Sequence, residues 1–198
     1  MRKFLRMLSD ICFPPGEDEV IVRTLTGDDM DELFHEVSQD DWTALSLLKD
    51  LRVRALIHEA KFRGNADAHA LLGGLIRTWR EHHPELVDAV FIPVPLSRER
   101  LRARGYNQVE LVLRASDVRP LQNALVRVRH TRPQTELSRE ERLANVTGAF
   151  AASLPETLYG KDIVIVDDVV TTGATLRAVA LTVRRHNPRS VTCLALSH

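Results

Sequence analysis

The sequence predicts an α/β fold: an open, mostly parallel twisted sheet flanked by helices, with a small N-terminal extension. Ile163-Val164-Ile165-Val166 is a short bounded run of β-branched residues, which suits a strand buried on both faces. Leu176, Val179, Ala180 and Val183 then share one helical face. An apolar run over 191–196 completes a strand–helix–strand unit, whose strands should be parallel with a right-handed crossover.

The remaining elements follow in chain order. Phe4, Leu5, Leu8 and Ile11 are spaced as one helical face, ended by Pro14-Pro15-Gly16. Val20-Ile21-Val22 reads as a short strand, and Met30, Leu33, Phe34 and Val37 as a short amphipathic helix. The stretch 42–48 fits either a strand or a helix. Val53, Leu56, Ile57 and Ala60 predict a helix over 51–62, closed by Gly64-Asn65. Leu72, Leu75, Ile76 and Trp79 predict another over 67–80, ended by His82-His83-Pro84; adjacent histidines point different ways and read as surface residues rather than metal ligands. Ala89-Val90-Phe91-Ile92 is a buried strand that must stop or reach an edge at Pro93 and Pro95. Asn107 and Glu110 have capping-box spacing before a helix running through Ala115. Val126 and Val128 alternate with Arg127 and Arg129, a strand with one wet or ligand-facing side. The stretch 131–137 is turn-like, Ser138 and Glu141 open a short helix, and 149–152 is a short strand.

Charge divides the chain. Residues 1–41 carry 4 basic and 11 acidic residues, while 42–198 carry 23 basic and 16 acidic. The expected organisation is therefore an acidic extension, 1–41, followed by one α/β domain, 42–198. A positive body suits phosphate-bearing ligands or nucleic acid. Cys12 and Cys193 are the only cysteines, so no disulfide framework is implied and a cytoplasmic location is expected. No apolar run is long enough to span a bilayer, and the first eleven residues are too short and too charged for a signal peptide.

The chemistry concentrates behind the buried strand. Asp167 and Asp168 lie at its carboxyl end, where open parallel sheets bind ligands. The loop Thr171-Thr172-Gly173-Ala174-Thr175 leads into a helix. Its backbone N–H groups and hydroxyls can converge on a phosphate, Gly173 allows close approach, and the carboxylates can accept hydrogen bonds from vicinal sugar hydroxyls. An ordinary βα turn with an acidic cap is the plainer reading of the same residues.

This loop resembles the phosphoribosyl-pyrophosphate (PRPP) loop of type I phosphoribosyltransferases, without a gap. Further segments resemble the ComF/GntX family in order and spacing. They are Arg52-Val53-Arg54-Ala55-Leu56-Ile57 with Lys61-Phe62-Arg63-Gly64, Ile92-Pro93-Val94-Pro95-Leu96, and Arg102-Ala103-Arg104-Gly105-Tyr106-Asn107-Gln108. Thr131-Arg132-Pro133-Gln134-Thr135-Glu136-Leu137-Ser138, Arg142-Leu143-Ala144-Asn145 and Gly148-Ala149-Phe150 continue the series. The resemblance implies a type I phosphoribosyltransferase-like fold with Asp167 and Asp168 as the catalytic acids and Thr171, Thr172, Gly173, Ala174 and Thr175 binding PRPP. It implies that Pro95, Leu96, Ser97 and Arg98 form the pyrophosphate loop. Arg104, Tyr106, Asn107, Gln108, Gln134 and Lys61 are expected to close over the site or touch substrate. Mg²⁺ is expected to bind through PRPP's own oxygens rather than a protein cage. The family usually carries an N-terminal zinc ribbon; here Gly16-Glu17-Asp18-Glu19 stands where a Cys-x-x-Cys would begin, so no zinc is expected.

Two classes of function fit these residues. One is an enzyme that transfers phosphoribose from PRPP to an acceptor the sequence does not name. The other is a non-catalytic module of the same fold acting in DNA uptake or recombination. Arg98, Arg100, Arg102 and Arg104 fit a solvated basic face, a diphosphate site or a nucleic-acid contact, and weak single-stranded DNA binding is expected. Lys61 and Arg63 either reach the site or simply end a helix.

Overall fold

A computed structural model describes residues 15–39, 41–128 and 148–198. The expected elements over 4–11, 131–137 and 138–141 lie outside the described residues, as do Cys12, Arg129 and Gln134. Helices α1 (Glu17–Thr24) and α2 (Gly27–Leu33) precede a hairpin of β1 (Val37–Gln39) and β2 (Trp42–Ala44). Next come α3 (Leu51–His58), which runs on into a π-helical turn (Glu59–Arg63), α4 (Ala66–His82) and β3 (Val90–Pro93). Helices α5 (Arg98–Arg104) and α6 (Gln108–Ala115) lead to β4 (Leu125–Arg127) and β5 (Phe150–Ala152). The chain closes with β6 (Asp162–Val169), α7 (Ala174–Arg184) and β7 (Ser190–Ser197).

The main sheet has the order β1-β2-β7-β6-β3, all parallel except the antiparallel β1 edge. Strands β4 and β5 form a separate antiparallel pair. The β-branched run makes β6 an inner strand of the four parallel ones, between β7 and β3, and Ile163, Val164, Ile165 and Val166 are fully buried. Strand side chains alternate between faces, so one strand feeds two cores. Val164 and Val166, with Leu194 and Leu196, pack with α3, α4 and α6. Ile163 and Ile165, with Cys193 and Ala195, pack under α7 with Phe150 and Trp42. This is an α/β fold of the predicted class, a mostly parallel sheet with helices on both faces.

Several elements differ from expectation for identifiable reasons. Val20-Ile21-Val22 lies in a helix, not a strand. Glu17, Asp18 and Glu19 occupy its first turn, where carboxylates complement the helix dipole, and Glu19 pairs with Arg23 one turn on at 2.7 Å. Val37 is not in the following helix but opens β1; α2 ends at Leu33, and Thr26 and Asp29 cap its start reciprocally. The ambiguous stretch 42–48 begins as strand β2. The helix after Asn107 forms as expected, yet Asn107 caps it alone, accepting from Val109 N at 3.0 Å, because Glu110 is taken by Arg114 and Gln122.

In strand β4 the valines take the wet side. Val126 and Val128 are exposed, whereas Arg127 is half-buried with its guanidinium 5.5 Å from the Phe150 ring centroid. The alternate arginines 98 to 104 sit on helix α5. Ser97 caps it by accepting from Arg100 N at 3.2 Å, and Gly105 (φ +82°) ends it. Alternate positions on a helix fall on different faces, so these arginines do not form one row.

Val22, Met30 and Leu33 of the first two helices are buried in the same cluster as α3 and α4. Leu33→Ala should therefore lower unfolding stability by about 2–5 kcal/mol, the usual cost of emptying a core leucine site. The exposed Leu51→Ala should change it by less than about 0.5 kcal/mol. Urea unfolding of both variants checks this; equal effects would show that residues 17–33 only rest on the surface.

Candidate active site

Strands β3 and β6 pair in parallel with Pro93 opposite Val166. The turn after β3 and the loop after β6 therefore leave the same edge of the sheet, one strand spacing of about 4.8 Å apart. Asp167 and Asp168 precede Val169, the last residue of β6 at that edge, and adjacent strand positions send them to opposite faces.

Asp168 is buried on the α3/α6 face. Its Oδ2 accepts from the Gln108 side-chain amide at 2.6 Å and from Lys61 Nζ at 2.9 Å, and its Oδ1 accepts from Val169 N at 2.8 Å. Gln108 is itself buried, and its Oε1 accepts from the Arg104 guanidinium. That guanidinium lies 5.5 Å from the Phe62 ring centroid, a cation–π contact. Tyr106 donates its hydroxyl to the Lys61 carbonyl at 3.3 Å, and Asn107 Nδ2 donates to Val94 O at 3.0 Å. Lys61 thus reaches the site instead of merely ending a helix. The π turn carries it there: the extra residue per turn alters the direction of the side chains, and Gly64 (φ +62°) stops the element immediately afterwards.

Asp167 Oδ1 accepts from Asp168 N at 2.9 Å. Burial, and next the Asp168 carboxylate beside it, push the Asp167 carboxyl up to about 7; Lys61 and Arg127 offset this only in part. Burial likewise lowers the pKa of Arg104, with Asp168 opposing the shift.

The threonine loop follows directly. Thr171 is exposed, while Gly173 and Ala174 are buried. Ala174 N donates to Thr172 Oγ1 at 3.4 Å, and Gly173 (φ +72°) is the residue before α7. Its backbone is crowded from beneath: a Cβ there would stand 2.6 Å from Cδ1 and Nε1 of Trp42. The β1–β2 turn holds α7 as well, since Arg177 donates to Asp41 at 2.8 Å through Nε and pairs with it at 2.6 Å through Nη2. In the turn after β3, Ser97 is committed to capping α5, and Arg98 is exposed.

The structure therefore gathers Lys61, Arg104, Tyr106, Asn107 and Gln108 around Asp168 and the turn after β3. Arg104 and Gln108 touch each other and Asp168 in sequence rather than standing open on the surface. Gln134 lies outside the described residues. Sequence reasoning missed Trp42, which no local pattern links to Gly173, and it did not assign Arg127 to the inner side of β4.

A fold of this class, with an acidic pair and a threonine–glycine loop at the carboxyl end of a central parallel strand, is that of a phosphoribosyltransferase. Residues 111–197 match the family model described as Phosphoribosyl transferase domain. The chain is 37% identical over 111 residues to competence protein F of Haemophilus influenzae, covering 54% of this chain and 48% of that protein. It is 33% identical over 121 residues to competence protein ComFC of Bacillus subtilis, covering 61% and 48%. It is 33% identical over 150 residues to DNA utilization protein YhgH of Escherichia coli K12, covering 69% and 63%. These matches support the ComF family for this chain. It spans about half the length of the competence proteins it matches. A solved structure, titled as the allosteric regulatory enzyme of purine biosynthesis, aligns with a TM-score of 0.42 at 17% identity, over 71% of this chain and 30% of that one.

The crowding at Gly173 generates a prediction. Gly160 shares its left-handed backbone (φ +66°), but a Cβ there would meet open space, with nothing within 4 Å. Gly160→Ala should cost about 1–2 kcal/mol for the backbone alone. Gly173→Ala should cost more, because the Trp42 indole must also move, and should change Trp42 fluorescence. Thermal melts with emission spectra check this; equal losses with unchanged emission would contradict the contact.

Proposed function

We propose that this chain binds PRPP and transfers phosphoribose to an acceptor, with pyrophosphate as the leaving group. One observation carries the reading: the Asp167-Asp168 pair and the threonine loop share a sheet edge with the turn after β3, and Asp168 is held in place by Lys61 and Gln108. In this reading the 5′-phosphate sits on residues 171–175, at the positive end of α7. The ribose hydroxyls donate to the carboxylate pair. The diphosphate lies on Pro95, Leu96, Ser97 and Arg98, where charge-assisted hydrogen bonds contribute about 1.5–3 kcal/mol each. The bond between ribose C1 and the diphosphate oxygen breaks with its electron pair leaving on the diphosphate, and the acceptor bonds to C1. Asp167, ionised above about 7, is suited to take the proton that the acceptor releases.

The residues present fit a Mg²⁺ ion carried in by the ligand. Among the described residues no cluster of three or more His, Cys, Asp and Glu side chains could hold a metal, so in this reading the ion rides on the ligand's own oxygens and Asp167 and Asp168 are the carboxylates that would meet it. When bound, that ion would neutralise charge on the departing diphosphate. Zinc has no part in this reading. Among the described residues no helix is long and apolar enough to cross a membrane, and a cytoplasmic location fits a PRPP-dependent reaction.

A second reading is supported by the names of the relatives, which refer to competence and DNA utilization. The exposed Arg98, Arg100 and Arg102 of α5 would then contact a nucleic-acid backbone. Each such arginine neutralises about one phosphate, so its removal should reduce the salt slope of single-stranded DNA binding by about one unit.

Pyrophosphate release from Mg-PRPP across bases, amines and ammonia tests the first reading. Release with one acceptor is expected. Its rate should rise with pH through about 7 as Asp167 loses its proton, and Asp167→Asn should remove that rise. Saturable PRPP binding without release, together with equal DNA losses in Arg98→Ala and Arg102→Ala, would instead favour the binding module. If the arginines serve a diphosphate, Arg98→Ala should weaken PRPP binding more than Arg102→Ala.

A further inference from the structure

Asp168 has less room for a ligand than its place at the sheet edge suggests. An ionised carboxylate offers about four acceptor sites, two on each oxygen. The Gln108 amide at 2.6 Å and Lys61 Nζ at 2.9 Å fill both sites on Oδ2, and Val169 N at 2.8 Å takes one on Oδ1. Among the described residues a single site on Oδ1 is left, on a residue that is itself buried. A sugar hydroxyl that donates to Oδ2 must therefore displace a donor already there.

The two donors on Oδ2 are not equally easy to displace. Gln108 is 3% exposed, and its Oε1 accepts from Arg104, whose guanidinium stacks on Phe62. Swinging that amide away would break the Arg104 bond and strand buried polar atoms. Lys61 differs. Its side chain is 29% exposed, and its ammonium carries three donors on a flexible four-carbon stem. Its backbone is pinned, because its carbonyl accepts from the Tyr106 hydroxyl at 3.3 Å and the π turn stops at Gly64. The anchor is fixed while the charged end can swing.

A displaced ammonium needs another anion. Tyr106, which holds the Lys61 carbonyl, lines the same cavity as Pro95, Leu96, Ser97 and Arg98, the turn that the proposed function assigns to the diphosphate. One residue thus links the lysine's backbone to that turn. We propose that Lys61 is an exchangeable counter-ion. In the free protein it holds Asp168; when PRPP binds, a ribose hydroxyl takes its place on Oδ2 and the ammonium moves to an oxygen of the diphosphate. Oδ2 keeps two donors throughout, and the cation passes from a singly charged partner to a more highly charged one. The inference rests on the PRPP reading and adds selectivity to it. Ribose 5-phosphate, which lacks the diphosphate, must evict Lys61 from Oδ2 without offering it that new partner.

Calorimetric titration of the full chain with PRPP and with ribose 5-phosphate, at one Mg²⁺ concentration and one ionic strength, tests the exchange. Lys61→Met keeps the apolar stem and removes the charge. It should weaken PRPP binding about tenfold, the size of one charge-assisted hydrogen bond. Ribose 5-phosphate should bind this variant at least as tightly as the wild type, because the acceptor on Oδ2 is already vacant. Lys61→Gln should show the same pair of signs, with circular dichroism confirming the fold of each variant. A lysine that only supports the structure would instead lose both ligands alike, and that result would overturn the proposal. Undiminished PRPP binding, or no ribose 5-phosphate binding by either variant, would overturn it too. The two readings fail differently. A wild type that does not bind PRPP sinks the proposed function itself, whereas PRPP binding with the wrong signs in the variants sinks the exchange alone.

Discussion

A buried carboxylate must be compensated, and the way Asp168 is compensated organises this molecule. Lys61 supplies the counter-charge at 2.9 Å, and the Gln108 amide donates at 2.6 Å. These partners come from a π-helical turn and from α6, so one carboxylate ties together β6 and two separate helical elements. Removing one partner from such a pair typically costs about 3–5 kcal/mol, because the remaining charge is left without compensation. The consequence for function is preorganisation. Asp168 is held in one orientation at the sheet edge, and Arg104, stacked on Phe62, orients Gln108 in turn. Asp167 faces the other way and, for the opposite reason, holds its proton to about 7. Two neighbouring carboxylates thus stand in different surroundings: Asp168 has a close cation, whereas Asp167 has mainly burial.

The second support of the site is mechanical. The Trp42 indole fills the space beneath Gly173, and Asp41 beside it anchors Arg177 of α7. The β1–β2 turn, at the far edge of the sheet from β3, therefore fixes the height and angle of the threonine loop. Helices α1 and α2 complete the core on which α3 and α4 rest, and the π turn that presents Lys61 continues from α3. Packing remote from the chemistry determines where the lysine and the loop stand.

How much of this was legible depended on whether the signal was local. The β6 run, the loop and α7 could be read directly, since full burial, the Asp-Asp-Thr-Thr-Gly order and the 3.6-residue period all lie within one stretch. Helices α3 and α4 were legible from period alone. Helix α1 was not, because Val20-Ile21-Val22 has strand-like propensity while the deciding terms are an acidic first turn and one ion pair. Helix α5 was hidden because its one large apolar residue, Leu101, is exposed, and its limits are set by Ser97 and Gly105. The resemblance named Lys61 and Gln108, but no pattern in the sequence states that both end on Asp168. The Trp42–Gly173 contact and the inward turn of Arg127 arise only when distant segments meet.

The central claim is that the carboxylate pair at the end of β6 receives the hydroxyls of a ribose phosphate. Calorimetric titration of Mg-PRPP into the wild type, Asp168→Asn and Asp167→Asn, with circular dichroism as the folding control, tests it most directly. The account predicts tight saturable binding to the wild type, a strong loss in folded Asp168→Asn and a milder loss in Asp167→Asn. Undiminished affinity in both folded variants would contradict it.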